Sequence, residues 1–339
     1  MKVLSLIVPA YNSEKFLDKG IPSFFAEEIL DKLDIIIVND GSSDGTAAAA
    51  EKYCRMYPKS IRLINQENKG HGGALNTGFD AAVGKFLKPI DSDDWVQTQN
   101  LPALIDALEK TESDVVLTHY RTIDISSGEI CNFRTHPEVF GKELTMDQVV
   151  ENFRSFFRVL TFHGIAYRRE FYREKGIRLS EHVFYEDNEY ATFPCCHAQS
   201  VLPLDLYLYE YRIGDVNQSV SLANQLKRQS HTQTVIRRMT EEYEKLPDGA
   251  GKRYAALKTQ GLVLNYLMTA LLVDPDRKEG RRQAAKAMNA CRKNPEIYGM
   301  VKRKYQVYCL LSALHVTKPQ WDAVLKSRLY NRLRGNPEA

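Results

Sequence analysis

The sequence predicts an α/β fold in which a mostly parallel sheet, flanked by helices, is followed by a helical C-terminal region. Three observations carry this expectation. Runs apolar at every position recur through the first 120 residues, as strands buried on both faces require. Segments with helical spacing separate them, which suggests βαβ units and a parallel sheet. Each run ends in polar, glycine-rich or acidic residues, and right-handed crossovers bring such strand ends to one edge.

VLSLIV (3–8), stopped by Pro9, reads as the first strand; one lysine and no small-residue cleavage site argue against a secretory signal. DIIIVN (34–39), IRLIN (61–65), KFLKPI (85–90) and DVVLTH (114–119) follow, with helices expected near 14–30, 45–57, 73–83 and 99–110. From residue 120 the texture changes. YRTIDISSGEICNF (120–133) reads as a hairpin turning at Ser127-Gly128, 145–158 and 168–175 as helices, and VLPLDLYLYEYR (201–212) as a strand with alternating aromatics. Beyond about 220 the pattern is helical, punctuated by turns at LPDGAG (246–251) and VDPD (273–276). The expected division is one domain over 1–221, halved near 120, and a helical region over 222–339.

With 43% hydrophobic and 26% charged residues in 339, the chain has ordinary globular composition, which excludes disordered and collagen-like classes. No uninterrupted apolar stretch reaches ~18 residues, and GLVLNYLMTALLV (261–273) reads as a core helix. Six cysteines without C-x-x-C spacing suit reduced thiols and a cytoplasmic setting better than zinc or disulfides. The net charge of +3 hides an asymmetry: residues 226–339 hold 23 Lys/Arg against 10 Asp/Glu. Solvated helices would account for that. So would contact with an anionic surface, such as phospholipid headgroups at the inner face of the plasma membrane. Tyr305, Tyr308, Leu310, Leu311, Trp321 and Leu325 fit an interfacial face or a buried helix interface, including one within a homodimer. Nucleic acid is not among the expected partners.

The chemistry concentrates at the strand ends. KPIDSDDW (88–95) holds Asp91, Asp93 and Asp94 within four residues. Like charges this close raise one another's pKa unless a cation neutralises them. In an extended segment Asp91 and Asp93 point the same way, and their hard oxygens suit Mg²⁺ or Mn²⁺ bridging a diphosphate. Asp94 is then expected to cap the next element; a solvated acidic turn is the alternative. Asp40 leads into GSSDGT (41–46), where it can accept from a ring N–H such as uracil offers, with Tyr11 as a flat face for stacking. A plain strand-to-helix turn explains the same residues. ENKGHGGALNTG (67–78) runs a glycine-rich loop into a helix whose N-terminal N–H groups suit phosphate, with Lys69 adding charge. It matches neither the Walker nor the dinucleotide glycine pattern. His71 in this loop is a candidate ligand contact. Glu186-Asp187 in FYEDNEY (184–190) offers a general base, or acids favourable to a helix start.

Together these motifs resemble family 2 glycosyltransferases with the GT-A, Rossmann-like fold, over residues 1–215. IVPAYN (7–12), VNDGSSDGT (38–46), NKGHGGALNTG (68–78), DSDD (91–94), YED (185–187) and YEYRIGDVNQSVS (209–221) occur in that family's order and spacing. The resemblance implies a nucleotide-binding half near 1–120 and an acceptor half near 121–221. It implies inverting, metal-dependent transfer of a sugar from a nucleotide-diphosphate donor, usually UDP-linked. The acceptor would be a hydroxyl of a saccharide or lipid-linked saccharide, in the setting of cell-surface polysaccharide assembly. By the same carry-over Pro9, Tyr11 and Asp40 hold the nucleobase, Asp91 lies near ribose or sugar, and Asp93 takes the metal. Asp187 is the catalytic base with Glu186 beside it, and Arg212, on a flexible loop, reaches the diphosphate. Asn12, Glu14, Gly41, Lys69, Gly70, Gly73, Asn76 and Ser92 complete the donor site. Leu75 stands where the family usually has arginine, and Q-x-x-R-W is absent, which implies one sugar per encounter. A metal-dependent nucleotidyltransferase and a non-catalytic saccharide-binding or scaffolding module are the competing readings.

Overall fold

A computed structural model describes residues 1–215 and 221–326. Part of YEYRIGDVNQSVS, residues 216–220, lies outside the described residues. The chain forms two compact units, Met1–Val216 with Glu241–Ala255, and Asn217–Thr240 with Ala256–Ala339.

The first unit begins β1 (Leu4–Ala10), α1 (Glu14–Gly20), β2 (Leu33–Asp40), α2 (Thr46–Met56), β3 (Ile61–Gln66), α3 (Gly70–Ala81) and β4 (Phe86–Pro89). It continues through β5 (Trp95–Val96), α4 (Leu101–Lys110), β6 (Val115–Asp124), β7 (Ile130–Phe133), β8 (Leu144–Thr145), α5 (Met146–Glu151) and α6 (Phe153–Phe156). Then come β9 (Ile165–Arg168), α7 (Arg169–Glu174), α8 (Asp187–Tyr190) and β10 (Ser200–Ile213). The strands make one sheet in the order β3-β2-β1-β4-β9-β6-β10-β5, with β7 on β6 and β8 on β10. β1, β2, β3 and β4 pair in parallel, and every residue of β1 and β2 is buried, which is why both carry apolar runs, broken by the hydrogen-bonded pair Ser5 and Asp34 and by the polar end Asn39-Asp40. β9 lies antiparallel between β4 and β6, so the sheet is mixed from there on, although β6 and β10 again run parallel.

Several elements differ in detail from the sequence expectation. The segment 14–30 is a short α-helix followed by two 3₁₀ turns. α3 starts at Gly70, earlier than expected, because Gly70 takes a left-handed φ of 76° that turns the chain into the helix. The hairpin turns at Gly128, φ 76°, as expected. The C-terminal ends of β1, β2, β3 and β4 lie at one edge, so Tyr11, Gly41, Asn68 and Asp91 follow parallel neighbours. Residues 241–255 complete this unit. Tyr254 donates its hydroxyl to the Ala191 carbonyl at 2.7 Å, and Arg253 pairs with Asp147 at 2.6 Å.

The second unit draws on α9 (Leu222–Lys227), α10 (Gln229–Lys245), α11 (Ala250–Met268), α12 (Arg277–Cys291), α13 (Pro295–Ala313) and α14 (Lys318–Lys326). Asp276 caps α12, accepting from the Lys278 and Glu279 N–H groups at 3.0 Å. Its core comprises Val263, Leu267, Ala270, Leu271, Leu272, Ala284, Met288, Cys291 and Val301. Among the described residues one helical stretch, Ala250–Val273, is long and apolar enough to cross a membrane, but more than half of its most apolar part is buried inside the molecule.

Candidate active site

Asp40 closes β2 and is buried. Its Oδ1 accepts from the Lys69 backbone N–H at 2.8 Å and from Gln66 Nε2 at 2.6 Å, and neither bond uses Oδ2. Pro9 is buried in β1, whereas Tyr11, just beyond it, is 55% exposed. Asn12 and Glu14 hold the neighbouring loop. Asn12 Oδ1 accepts from the Ser43 N–H at 2.9 Å, and Glu14 Oε2 accepts from the Gly45 N–H at 3.0 Å. Gly41, with φ 73°, lets Asn68 approach: a Cβ there would lie 2.9 Å from the Asn68 nitrogen.

The glycine-rich loop packs against the segment that carries Glu186. His182 donates its N–H to the Lys69 carbonyl at 2.8 Å, and a Cβ on Gly70 would meet the His182 nitrogen at 2.8 Å. A Cβ on Gly72 would clash with the Ser180 carbonyl, and one on Gly73 with the Lys69 side chain. Asn76 is buried and bonds both ways to the Leu179 backbone at 3.0 Å, so its amide serves the 177–186 segment rather than a donor. Leu75 is fully buried. Glu189 completes the clamp, accepting from the Ser180 N–H at 2.8 Å and hydroxyl at 2.7 Å.

The acidic stretch is a turn and not an extended segment: the Asp94 N–H donates to the Asp91 carbonyl at 3.1 Å. This corrects the expected i, i+2 alignment of Asp91 and Asp93. Asp94 does not cap the next element either. It is 1% exposed, and its carboxylate accepts from the Tyr209 hydroxyl and the Arg212 backbone N–H, both at 2.7 Å. Burial, then the charges of Asp91 and Asp93, push its pKa well above the usual carboxylate range. The Asp91 N–H in turn donates to the Tyr209 oxygen at 3.0 Å. Ser92 shares a hydroxyl bond with Ser13 at 2.7 Å. Asp93, with a side chain 30% exposed, faces Arg212 at 3.6 Å. Arg212 lies within β10 and not on a flexible loop, packed 5.0 Å over the Phe16 ring and paired with Asp215 at 3.2 Å.

His71 stands between two carboxylates. Its Nδ1 meets Glu186, which is buried, and its Nε2 meets Asp91 at 2.9 Å. Burial opposes the imidazolium, but the Glu186 charge and the hydrogen bonds to both acids override it, so its pKa stands well above the ordinary histidine value. Burial likewise works against the Asp91 carboxylate, and the His71 bond and charge hold it below its usual range. Glu186 sits at the start of α8, beside Tyr185 at φ 72°. Asp187 follows, half-buried, its Oδ1 accepting from Asn188 Nδ2 at 3.1 Å.

Three residues that the sequence did not flag complete the site. His163 stacks on Tyr211 with ring centroids 4.2 Å apart and meets Tyr209 edge-on. Burial lowers its pKa to about 4, and its buried Nδ1 has no hydrogen-bond partner among the described residues. Lys88, fully buried in β4, donates to the His163 carbonyl at 2.8 Å and that of Ile165 at 3.1 Å; burial lowers its pKa to about 7. Tyr211 gathers the acids. Burial, then the charges of Asp94, Asp91, Asp187 and Asp93, push its phenol pKa upward.

Ligand atoms of Asp91, Asp94 and His163 lie within 4.8 Å of one another. Both carboxylate oxygens of Asp94 accept one hydrogen bond each, which leaves each a second lone pair, and the Nδ1 of neutral His163 has no partner among the described residues; Asp93, which faces Arg212, is not part of this group. Oxygen ligands with one imidazole fit a hard or borderline divalent ion such as Mg²⁺ or Mn²⁺.

The profile of glycosyl transferase family 2 matches residues 5–175, half of the chain. The chain belongs to that family. EpsJ, an uncharacterized glycosyltransferase of Bacillus subtilis, is 30% identical over 218 residues, 62% of this chain and 61% of EpsJ. The match thus spans about three-fifths of that relative's length. Among solved structures, S. aureus TarS 1-349 in complex with UDP-GlcNAc aligns over 100% of this chain and 89% of its own, at TM-score 0.61 and 18% identity. The mannosyltransferase PcManGT from Pyrobaculum calidifontis, in complex with GDP-Man and Mn²⁺, aligns over 91% of this chain and 84% of its own, at TM-score 0.52 and 16% identity. Both likenesses bear on fold, and both agree with the GT-A-type sheet described above.

Proposed function

We propose that this chain transfers one sugar from a nucleotide-diphosphate donor, UDP-linked, to a hydroxyl of a saccharide or lipid-linked saccharide, with inversion at the anomeric carbon. The observation that carries the reading is the cluster at the edge where β1, β2 and β4 end, where ligand atoms of Asp91, Asp94 and His163 lie within 4.8 Å of one another and Asp93 faces Arg212 at 3.6 Å. Tyr11 and Asp40 at the same edge suit a base: one offers an exposed ring, the other an acceptor for a ring N–H.

In this reading Asp187, half-buried next to the buried Glu186, takes the proton of the acceptor hydroxyl. The freed oxygen lone pair attacks the anomeric carbon as the bond to the diphosphate breaks on the opposite face. Arg212, held in β10 beside Asp93, offsets the negative charge that departs with the diphosphate. Asp91, Asp94 and His163 would hold Mn²⁺ or Mg²⁺, which when bound neutralises further diphosphate charge. Glu186 does not serve as the base, because it is buried against His71.

The test is a thermal-shift panel of UDP-, GDP-, dTDP- and CDP-sugars, each with and without Mn²⁺. A ligand that binds only the native state raises the melting temperature by mass action. A metal-dependent shift with a UDP-sugar, lost in Asp91→Ala, supports the reading. A shift with nucleoside triphosphates instead would favour nucleotidyl transfer, and no shift with any donor would leave a binding module.

A further inference from the structure

The second unit divides the residues of α13 in a way their sequence leaves open. Tyr305, Tyr308, Cys309 and Leu311 pack against its core, as does Trp321 of α14. Val307 and Leu310, and Leu314 at the C-cap of α13, face outward, 43%, 61% and 65% exposed. Arg303, Val307, Leu310 and Leu314 follow one another at spacings of four, three and four, so they form one stripe along the helix. Lys302 and Lys304, both exposed, precede and follow Arg303 by one residue and so flank the stripe on its two sides. Single exposed leucines need no explanation, whereas an apolar stripe bordered by cations marks a surface that meets something.

We infer that this face of α13 docks onto an anionic lipid surface. The apolar stripe enters the boundary between headgroups and acyl chains, while Lys302, Arg303 and Lys304 meet lipid phosphates. Charge complementarity selects this occupant. Residues 277–326 contain 12 Lys/Arg and 3 Asp/Glu, so a negative surface is attracted to the whole region and not only to the stripe. The inference does not depend on the sugar-transfer reading.

The full chain is floated with vesicles of phosphatidylglycerol and phosphatidylcholine in equal parts, and with vesicles of phosphatidylcholine alone. Wild type is expected to float with the acidic vesicles at low salt and to be released as salt screens the lysines and arginine. Leu310→Glu/Leu314→Glu and Arg303→Glu/Lys304→Glu should each lower the bound fraction about tenfold. Their melting temperatures should stay unchanged, since the altered side chains are exposed. Wild type that stays unbound with acidic vesicles at low salt overturns the inference. So does equal flotation of wild type and both variants. Gel filtration showing a wild-type dimer that Leu310→Glu/Leu314→Glu converts to monomer would assign the face to a second copy instead.

Discussion

Replacing His71 by alanine should unlock the two halves of the site. The imidazolium joins Asp91, at the end of the parallel strands, to Glu186, whose side chain is 3% exposed. Removing one partner of a buried pair costs about 3–5 kcal/mol, because the other charge stays buried without its counter-ion. Here the His71 side chain is 34% exposed and that of Asp91 27%, so water can partly replace the ring. That discount brings the expected loss to about 2–3 kcal/mol. With a urea slope of ~2 kcal/mol per M, the midpoint should fall by ~1 M. The chain has two tryptophans, Trp95 in the first unit and Trp321 in the second, so a Trp321→Phe background makes fluorescence report the first unit alone. Glu186→Gln removes the buried charge that His71 neutralises. In that background the His71→Ala cost should shrink to about 1 kcal/mol, a coupling of roughly 1–2 kcal/mol. If the two costs simply add, to within ~0.5 kcal/mol, the bridge contributes nothing specific and the reasoning fails.

Four other outcomes follow from the same structure. Asp187→Asn should lower acceptor-dependent transfer by ~10²-fold or more while donor thermal shifts persist, since a general base acts in the chemical step. His119, 1% exposed beside the Phe140 and Tyr207 rings, has its pKa lowered by burial to about 4 from 6.5. Between those pH values the unfolded chain holds a proton that the folded chain lacks. Stability of the first unit should therefore fall by about 3 kcal/mol as pH drops from 6.5 to 4, and be unaffected by this group above 6.5. His119→Phe should flatten that part of the acid limb in pH-dependent urea melts. Gly72→Ala places a methyl against the Ser180 carbonyl and 2.9 Å from Glu186 Cγ, and should cost ~1–3 kcal/mol with a loss of transfer. Gly261→Ala in α11, where a methyl meets nothing within 4 Å, should be neutral or stabilising by up to ~1 kcal/mol for the second unit, read from urea melts of the chain that keeps Trp321.

The parallel half of the sheet was legible because β1 and β2 are buried on both faces, and that burial leaves continuous apolar runs in the sequence. β9 was not. Its four residues, IAYR, run straight into α7, and four apolar or amphipathic residues beside a helix carry no period of their own. The acids of the site could be named from residue type and spacing, but their geometry could not. Whether Asp91 aligns with Asp93 or Asp94 depends on one backbone hydrogen bond that closes the turn. Tyr209 and Tyr211 did carry a signal, two aromatics of one strand at i and i+2, hence on one face. Lys88 carried another, a lysine inside an apolar strand. His163 had none, because only the fold brings it against Tyr211 and near Asp91. Asn76 shows the converse: its motif suggests a ligand contact, while both ends of its amide are spent on Leu179.

The most direct test of the account is release of nucleoside diphosphate from the responding nucleotide-sugar, measured with and without a saccharide or lipid-linked acceptor, for wild type and Asp187→Asn side by side. Acceptor-dependent release by wild type, with an inverted linkage in the product and none formed by Asp187→Asn, is the expected result. Wild-type release that Asp187→Asn retains in full, or a product whose anomeric configuration is that of the donor, would contradict it.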